Sequence, residues 1–423
     1  MFTYLNRRLF SVLLIAALII PALAITPFAG AQGSKLPMMN PRPDTPQYGQ
    51  FGPFLVGIKD FPITFEYKDG TKRESRVTVW YPALNPEGKL QAFTYPAEKR
   101  TMDFAGPLFF PRTGSALLDA APNLEEAPYP LIIYSHGGWG YRWTQPEYCE
   151  HLASYGFVVL STDHEDAPPP GAMPPHAELS RQWDISALIN YAAELTAPDG
   201  VLAGSVDLEQ IGVTGYSAGG FTAMLAGGAR RNSGEKQTWC ATDEAKNSWV
   251  GPLLCVDEEA RDQEWAKLLG LAAPPDGLWP DVGDPRVDAI VPLDGGAHDF
   301  GPEGLSTIRV PALLIFARGA PMAMPYPHDT LLESMNGAQE AIAIFEYADH
   351  FLFTHACNEG MISSETIWTC AEPVWDKQRA YDLFHHLATA FLLATLKGDT
   401  GAAAGLAPNV VQFPGITYKA QGF

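Results

Sequence analysis

From residue 130 onward the chain repeats one unit: a short unbroken apolar run, a loop, then a longer stretch with helical spacing. The apolar runs lie at 131–134, 157–160, 211–214, 287–293, 312–316 and 341–345. Runs of that length without polar alternation are what strands buried on both faces require. Between them, 145–154, 179–195, 220–226 and 329–335 read as crossover helices, and 377–396 as a further helix near the C-terminus. Strand and helix in alternation predict a doubly wound, mostly parallel α/β sheet.

The chain begins differently. Two β-rich runs, 63–67 and 77–81, flank Lys68-Asp69-Gly70-Thr71, a hairpin signal, so an antiparallel start is expected. Residues 32–53 are rich in proline and polar groups and read as an extended leader, with order beginning near Phe54. The alternation is interrupted over 230–285 by Trp239, Trp249, Trp265 and Trp279 together with Cys240 and Cys255. That segment is expected either to roof the carboxyl edge of the sheet, where its tryptophans would line a pocket, or to be a disulfide-pinned surface excursion. The α/β domain is thus expected over 54–400, with 401–423 as a C-terminal tail.

At the extreme N-terminus, Arg7-Arg8 precedes an apolar run over 9–25 and then Ala29-Gly30-Ala31. This is the pattern of an export signal, cleaved after Ala31. Ala22-Leu23-Ala24 offers a second site, and an uncleaved anchor is the alternative, although Pro21 interrupts the run. A periplasmic or extracellular location follows. Five cysteines in an exported chain allow two disulfides, and proximity suggests Cys240 with Cys255 and Cys357 with Cys370. Cys149, in a helical context, reads as a buried small apolar residue. Losing residues 1–31 removes two arginines and no acids, which moves the formal charge from −20 to −22. So acidic a chain argues against nucleic acid as a partner and disfavours anionic substrates and membranes.

Gly215-Tyr216-Ser217-Ala218-Gly219 matches G-x-S-x-G, the tight strand-to-helix turn that presents a nucleophilic serine. Its context fits, because an apolar strand run precedes it and a helical run follows. A serine nucleophile needs a base and donors for the oxyanion. Ser135-His136-Gly137-Gly138-Trp139-Gly140 follows the first parallel strand, and the backbone N–H of Gly138, with Trp139 as the neighbouring alternative, would form an oxyanion hole with that of Ala218. His136 is expected to brace this loop. Of 10 histidines, His350 stands on the loop after the last strand and is the best base, with His355 its competitor. For the acid, the loop after 312–316 carries no carboxylate until Asp329, which reads as a helix cap. Asp294 ends the preceding strand and is the stronger candidate, whereas Asp288 lies inside it. Asp163-His164-Glu165-Asp166 crowds possible metal ligands, but one extended run points them in different directions. Neither metal nor cofactor is expected, and His164 reads as a loop brace.

At this point the chain resembles the serine-dependent branch of the plasma-type platelet-activating-factor acetylhydrolases and predicted dienelactone hydrolases, within the α/β-hydrolase superfamily. The resemblance rests on His151-Leu152-Ala153-Ser154-Tyr155-Gly156-Phe157-Val158-Val159 with the loop Ser161-Thr162-Asp163-His164. It rests also on Leu208-Glu209-Gln210-Ile211-Gly212-Val213-Thr214 leading into the elbow, and on Asp284-Pro285-Arg286-Val287-Asp288-Ala289. It runs from about 54 to 396 and implies a serine hydrolase of carboxylic esters, favouring short-chain acyl groups or acetylated lipids. It further implies an acid at the earlier strand end, which favours Asp294 over Asp329. True dienelactone hydrolases use a cysteine where this chain has Ser217, so that activity is not implied. A polyester or lactone hydrolase, or a hydrolase-fold binding protein without catalysis, are the competing readings.

Overall fold

The computed structural model describes residues 42–67, 70–96, 101–102, 106–107, 111–165, 174–247, 251–319, 331–354, 372 and 374–423. An antiparallel hairpin opens the fold: β1 (Leu55–Glu66) pairs with β2 (Lys72–Leu84) in unbroken register from Leu55↔Ala83 to Glu66↔Lys72. Two short strands follow, β3 (Ala92–Tyr95) and β4 (Arg112–Leu118). Then come the expected buried strands: β5 (Tyr129–Ser135), β6 (Val158–Thr162), β7 (Val206–Tyr216), β8 (Ala289–Leu293), β9 (Ala312–Ala317) and β10 (Glu340–Phe345). With β11 (Ile416–Gln421) they form one sheet in the order β11-β10-β9-β8-β7-β5-β6-β2-β1-β4-β3. Neighbours from β6 through β10 pair in parallel, which gives the doubly wound α/β sheet that the alternation predicts.

Both faces of the sheet are covered, which is why β5 and β9 are buried along their whole length and carry unbroken apolar runs. Along β5, Ile132 and Tyr134 point into one layer and Leu131 and Ile133 into the other. Helices α1 (Pro146–Ser154) and α6 (Lys377–Leu396) cover the first layer, with Leu152, Phe384 and Phe391 in the core. Helices α2 (Ala177–Thr196) and α3 (Ala218–Ala226) cover the second, with Leu188 and Phe221. Among the described residues, no helix is long and apolar enough to cross a membrane.

Three expectations change. Residues 401–423 are no loose tail: after a short helix, Thr400–Gly405, β11 pairs antiparallel with β10 and closes that edge of the sheet. Its sequence, ITYKAQ, is half-exposed and too weakly apolar to announce a strand. The leader, from Arg42 on, is tied to α6: Thr45 donates to Asp382 at 2.7 Å, Arg42 pairs with Asp376 at 2.6 Å, and Tyr48 is buried beside His386. Long-range partners of this kind leave no local signal. The crossover expected at 329–335 shows only a 3-10 turn, Leu332–Ser334, with residues 320–330 outside the described part.

The insertion folds into short helices, among them α4 (Ser233–Ala241) and α5 (Glu258–Leu268), pinned by the disulfide Cys240–Cys255. Cys357, Cys370 and Trp249 lie outside the described residues. Trp239, Trp265 and Trp279 are each 0% exposed, so they line no substrate surface here. They enclose charge instead. The Arg231 guanidinium lies 5.2 and 5.3 Å from the Trp265 and Trp279 ring centres and pairs with Asp262 at 2.5 Å. Lys236 reaches Asp299 at 3.4 Å, and Trp239 stacks on His298 at 4.4 Å. The insertion is thereby anchored to the loop that follows Asp294.

Candidate active site

Ser217 sits where β7 turns into α3, with a backbone at φ 56°, ψ −118° that a non-glycine residue adopts only under constraint. The constraint is steric. A Cβ on Gly215 would stand 2.5 Å from the carbonyl oxygens of both Ser135 and Gly219, and one on Gly219 would collide with the Ser135 carbonyl. Only glycines let the turn lie this close to the end of β5. Gly220 plays a related part, because a Cβ there would be 2.9 Å from Gly295, so α3 rests directly on the loop after β8. The Ser217 N–H donates to Leu293 O at 2.9 Å across the same contact.

That loop carries Asp294, also at positive φ (46°) and 2% exposed. Its carboxylate is held from two sides. The Ala317 N–H donates to Oδ1 at 3.0 Å, and Oδ2 meets His350 Nδ1 at 2.5 Å. The other ring nitrogen, Nε2, lies 3.0 Å from Ser217 Oγ. Asp294, His350 and Ser217 thus form one continuous hydrogen-bonded line, although 56 and 133 residues separate the successive partners.

Tyr216, inside the elbow, supports the histidine. Its ring stacks on His350 with centroids 4.8 Å apart, and its hydroxyl donates to the His350 carbonyl at 3.0 Å. Burial, reinforced by the nearby Asp294 and Asp349 charges, pushes the phenol pKa well above its ordinary value, so it stays a donor. In the sequence this position is only the variable second residue of the G-x-S-x-G match.

Gly137 lies against the serine, where a Cβ on it would stand 3.4 Å from Ser217 Cβ; the next residue, Gly138, is partly exposed, and neither its N–H nor that of Ala218, at the start of α3, donates to an acceptor among the described residues. Trp139 has φ 55°, so four of the six non-glycine residues at positive φ among those described (Trp139, Ser217, Asp294, Tyr347) belong to the loops that converge here. Backbone strain concentrates where side chains must be aimed.

Of the other residues singled out, His136 braces its loop, with Nδ1 on Gly137 O at 2.7 Å and Nε2 accepting from His164 N at 3.2 Å. His164 lies between Ser135 Oγ (2.9 Å) and Asp184 (2.7 Å), fully buried. Asp288 accepts from the Ile211 N–H at 2.8 Å, away from the serine line. Asp329 and His355 lie outside the described residues. Among those described, no group of three or more His, Cys, Asp or Glu side chains could hold a metal ion. Arg181 and Asp184, buried on α2 and packed under the Ser135–Gly140 loop, escape sequence reasoning. The only signal was a pair of charges spaced i, i+3 on the buried face of a helix.

A continuous Asp-His-Ser line at the carboxyl ends of parallel strands, with main-chain donors near the serine that have no acceptor among the described residues, can carry out acyl transfer. The family description "Platelet-activating factor acetylhydrolase, isoform II" matches residues 40–170, which span the hairpin, β5, β6 and the Gly138 loop and end before the elbow. Among solved structures, a ferulic acid esterase from Streptomyces cinnamoneus superposes with a TM-score of 0.54 at 20% identity, over 86% of this chain and 96% of that one. The chain is a carboxylic ester hydrolase of the α/β-hydrolase fold. Within that class, it resembles the platelet-activating factor acetylhydrolase isoform II family.

Proposed function

We propose that Ser217, His350 and Asp294 form the catalytic triad of this hydrolase. The Oγ–Nε2 distance of 3.0 Å, on a histidine whose Nδ1 is already committed to a buried carboxylate, carries the reading. In this mechanism Nδ1–H donates to Asp294, which leaves Nε2 unprotonated and facing the serine. His350 takes the Ser217 proton as Oγ bonds to the ester carbonyl carbon. The electron pair of the C=O bond moves to oxygen, where the N–H groups of Gly138 and Ala218 receive it. Collapse expels the alkoxide, which takes the proton from His350. Water then repeats the sequence on the acyl-enzyme and releases the acid.

The substrates we propose are neutral esters of short acyl groups, acetylated lipids among them. The likeness to the acetylhydrolase family supports the acyl group. The formal charge of −20 supports neutral over anionic esters, because a negative surface field lowers the local concentration of like-charged ligands. Aromatic esters of the kind the ferulic acid esterase is named for belong to the same test. We read the chain as exported, with residues 1–31 as its signal, and the Cys240–Cys255 disulfide supports that reading.

The experiment is titration with a fluorophosphonate, followed by rates on p-nitrophenyl esters of increasing chain length, an acetylated phospholipid and methyl ferulate. Ser217→Ala should neither label nor turn over. Retention of a tenth of the wild-type rate in that variant would exclude Ser217 as the nucleophile.

A further inference from the structure

The oxyanion donor proposed above, the N–H of Gly138, belongs to the same peptide unit as the carbonyl of Gly137. In a planar trans peptide the two groups point in opposite directions, so whatever fixes the carbonyl also aims the N–H. Three donors converge on Gly137 O: His136 Nδ1 at 2.7 Å, Gly140 N at 3.1 Å and Arg181 Nη2 at 3.2 Å. Arg181 also reaches back one peptide, where Nη1 donates to His136 O at 2.6 Å and to Ser135 Oγ at 3.3 Å. The guanidinium therefore spans two successive carbonyls with its rigid fork.

Such a clamp is costly to build unless it does something, because burying a guanidinium forfeits its hydration. Arg181 is 0% exposed. Its surroundings are fixed in turn. Ser135 Oγ contacts His164 Nε2 at 2.9 Å, His164 Nδ1 meets Asp184 at 2.7 Å, and Asp184 accepts from Tyr67 and Arg73 at 2.5 and 2.6 Å. Ser135, His164 and Asp184 repeat the order of a catalytic triad, but all three are sealed from solvent. They can hold Arg181 and the loop in place and can reach no ester.

We infer that Arg181 is a positioning residue for ester hydrolysis: it holds the Gly137 carbonyl so that the Gly138 N–H is presented to the developing oxyanion. A cation on a carbonyl also polarises the amide and makes its N–H a better donor. The effect is therefore confined to the state in which the substrate oxygen carries charge. This inference rests on the Ser217 reading and on Gly138 as a donor.

The test uses Arg181→Lys, which keeps the charge and loses the fork, and Arg181→Gln, which keeps one planar donor. Three quantities are measured on each folded variant: kcat and KM on a p-nitrophenyl ester, affinity for a trifluoromethyl ketone, and affinity for the matching unreactive alcohol. The ketone adds Ser217 Oγ to its carbonyl carbon and leaves an anionic oxygen in the hole, whereas the alcohol does not. Loss of a whole oxyanion donor lowers kcat about 10²- to 10³-fold, so misalignment should lower it roughly ten- to a hundredfold. The ketone should weaken by a similar factor, with KM and alcohol affinity within about twofold of wild type. Wild-type kcat in a folded variant, equal weakening of ketone and alcohol, or failure of both variants to fold would overturn the inference. In the last case the residue holds the fold and not the hole. Ser217→Ala in parallel separates the readings: if it stays active, the triad has failed, and if it is dead while the Arg181 variants are unaffected, only the clamp has.

Discussion

Replacing Asp294 by asparagine removes one charge and almost no volume, and the structure specifies which way the new amide turns. The Ala317 N–H points at Oδ1 from 3.0 Å and requires an acceptor there. The asparagine oxygen takes that place, and its NH2 group must occupy the Oδ2 position, 2.5 Å from His350 Nδ1 in the wild type. An NH2 group can only donate. His350 Nδ1 must then accept, its proton moves to Nε2, and the ring presents an N–H to Ser217 Oγ where catalysis needs a lone pair. The imidazolium formed on attack also loses its buried counter-charge. Wrong-tautomer substitutions of this type lower kcat by about 10⁴, or about 5 kcal/mol of transition-state stabilisation at 1.36 kcal/mol per tenfold. Because the Ala317 bond survives, the melting temperature should change little. The assay is kcat on a p-nitrophenyl ester beside thermal unfolding of the same sample. A folded Asp294→Asn enzyme retaining more than a tenth of the wild-type kcat would refute this reasoning and move the acid's role elsewhere.

Three further outcomes are expected. Burial pushes the pKa of His151 and of His386 down to about 4, and that of His385 well below its ordinary value, where α6 meets α1 and Tyr48. Below pH 6.5 the unfolded chain binds protons that the fold refuses, so stability should fall from pH 6.5 to about 4 by up to about 3 kcal/mol each for His151 and His386, with His385 adding to the loss in the same direction. Denaturant titration at pH 7.5 and 5 checks this, and equal midpoints would contradict it. Replacing Cys240 and Cys255 by serine opens a loop with a sequence separation of 15, which should cost about 3 kcal/mol by loop entropy, read as a lowered urea midpoint. Ending the chain at residue 405 strips β11 from β10 and bares a strand edge, so the truncated protein should lose solubility, seen by light scattering; a monodisperse product would count against that role.

The elbow shows how far one stretch of chain can announce its own chemistry. Gly215, Gly219 and Gly220 are each required by contacts that any Cβ would violate, with the turn itself, the end of β5 and the loop after β8, and the motif marks those close approaches without naming the distant partners. The same holds for the hairpin, whose turn and flanking β-rich runs are adjacent in sequence. Asp294 could be singled out as a candidate for a different reason: it follows an apolar strand run directly, while the next loop carries no carboxylate before Asp329. The tryptophans of the insertion misled, because an aromatic cluster looks the same in sequence whether it faces a substrate or encloses a buried arginine. Only packing tells these apart, and here Arg231 lies between Trp265 and Trp279.

By itself, then, the sequence determined the sheet's central strands, the turn that strains Ser217, and a short list of candidates for base and acid. These depend on periodicity and on residue types whose conformational requirement shows in a stretch of a few residues. The tertiary structure alone decided what needs distant partners. It brought His350 within reach of both Ser217 and Asp294, folded the leader and the last strand onto the domain, and set Arg181 beneath the Gly138 loop. The physical reason is that a hydrogen bond is specified by direction at about 3 Å, whereas the residues that make these bonds lie tens to hundreds of positions apart. Nothing local to either partner records the bond.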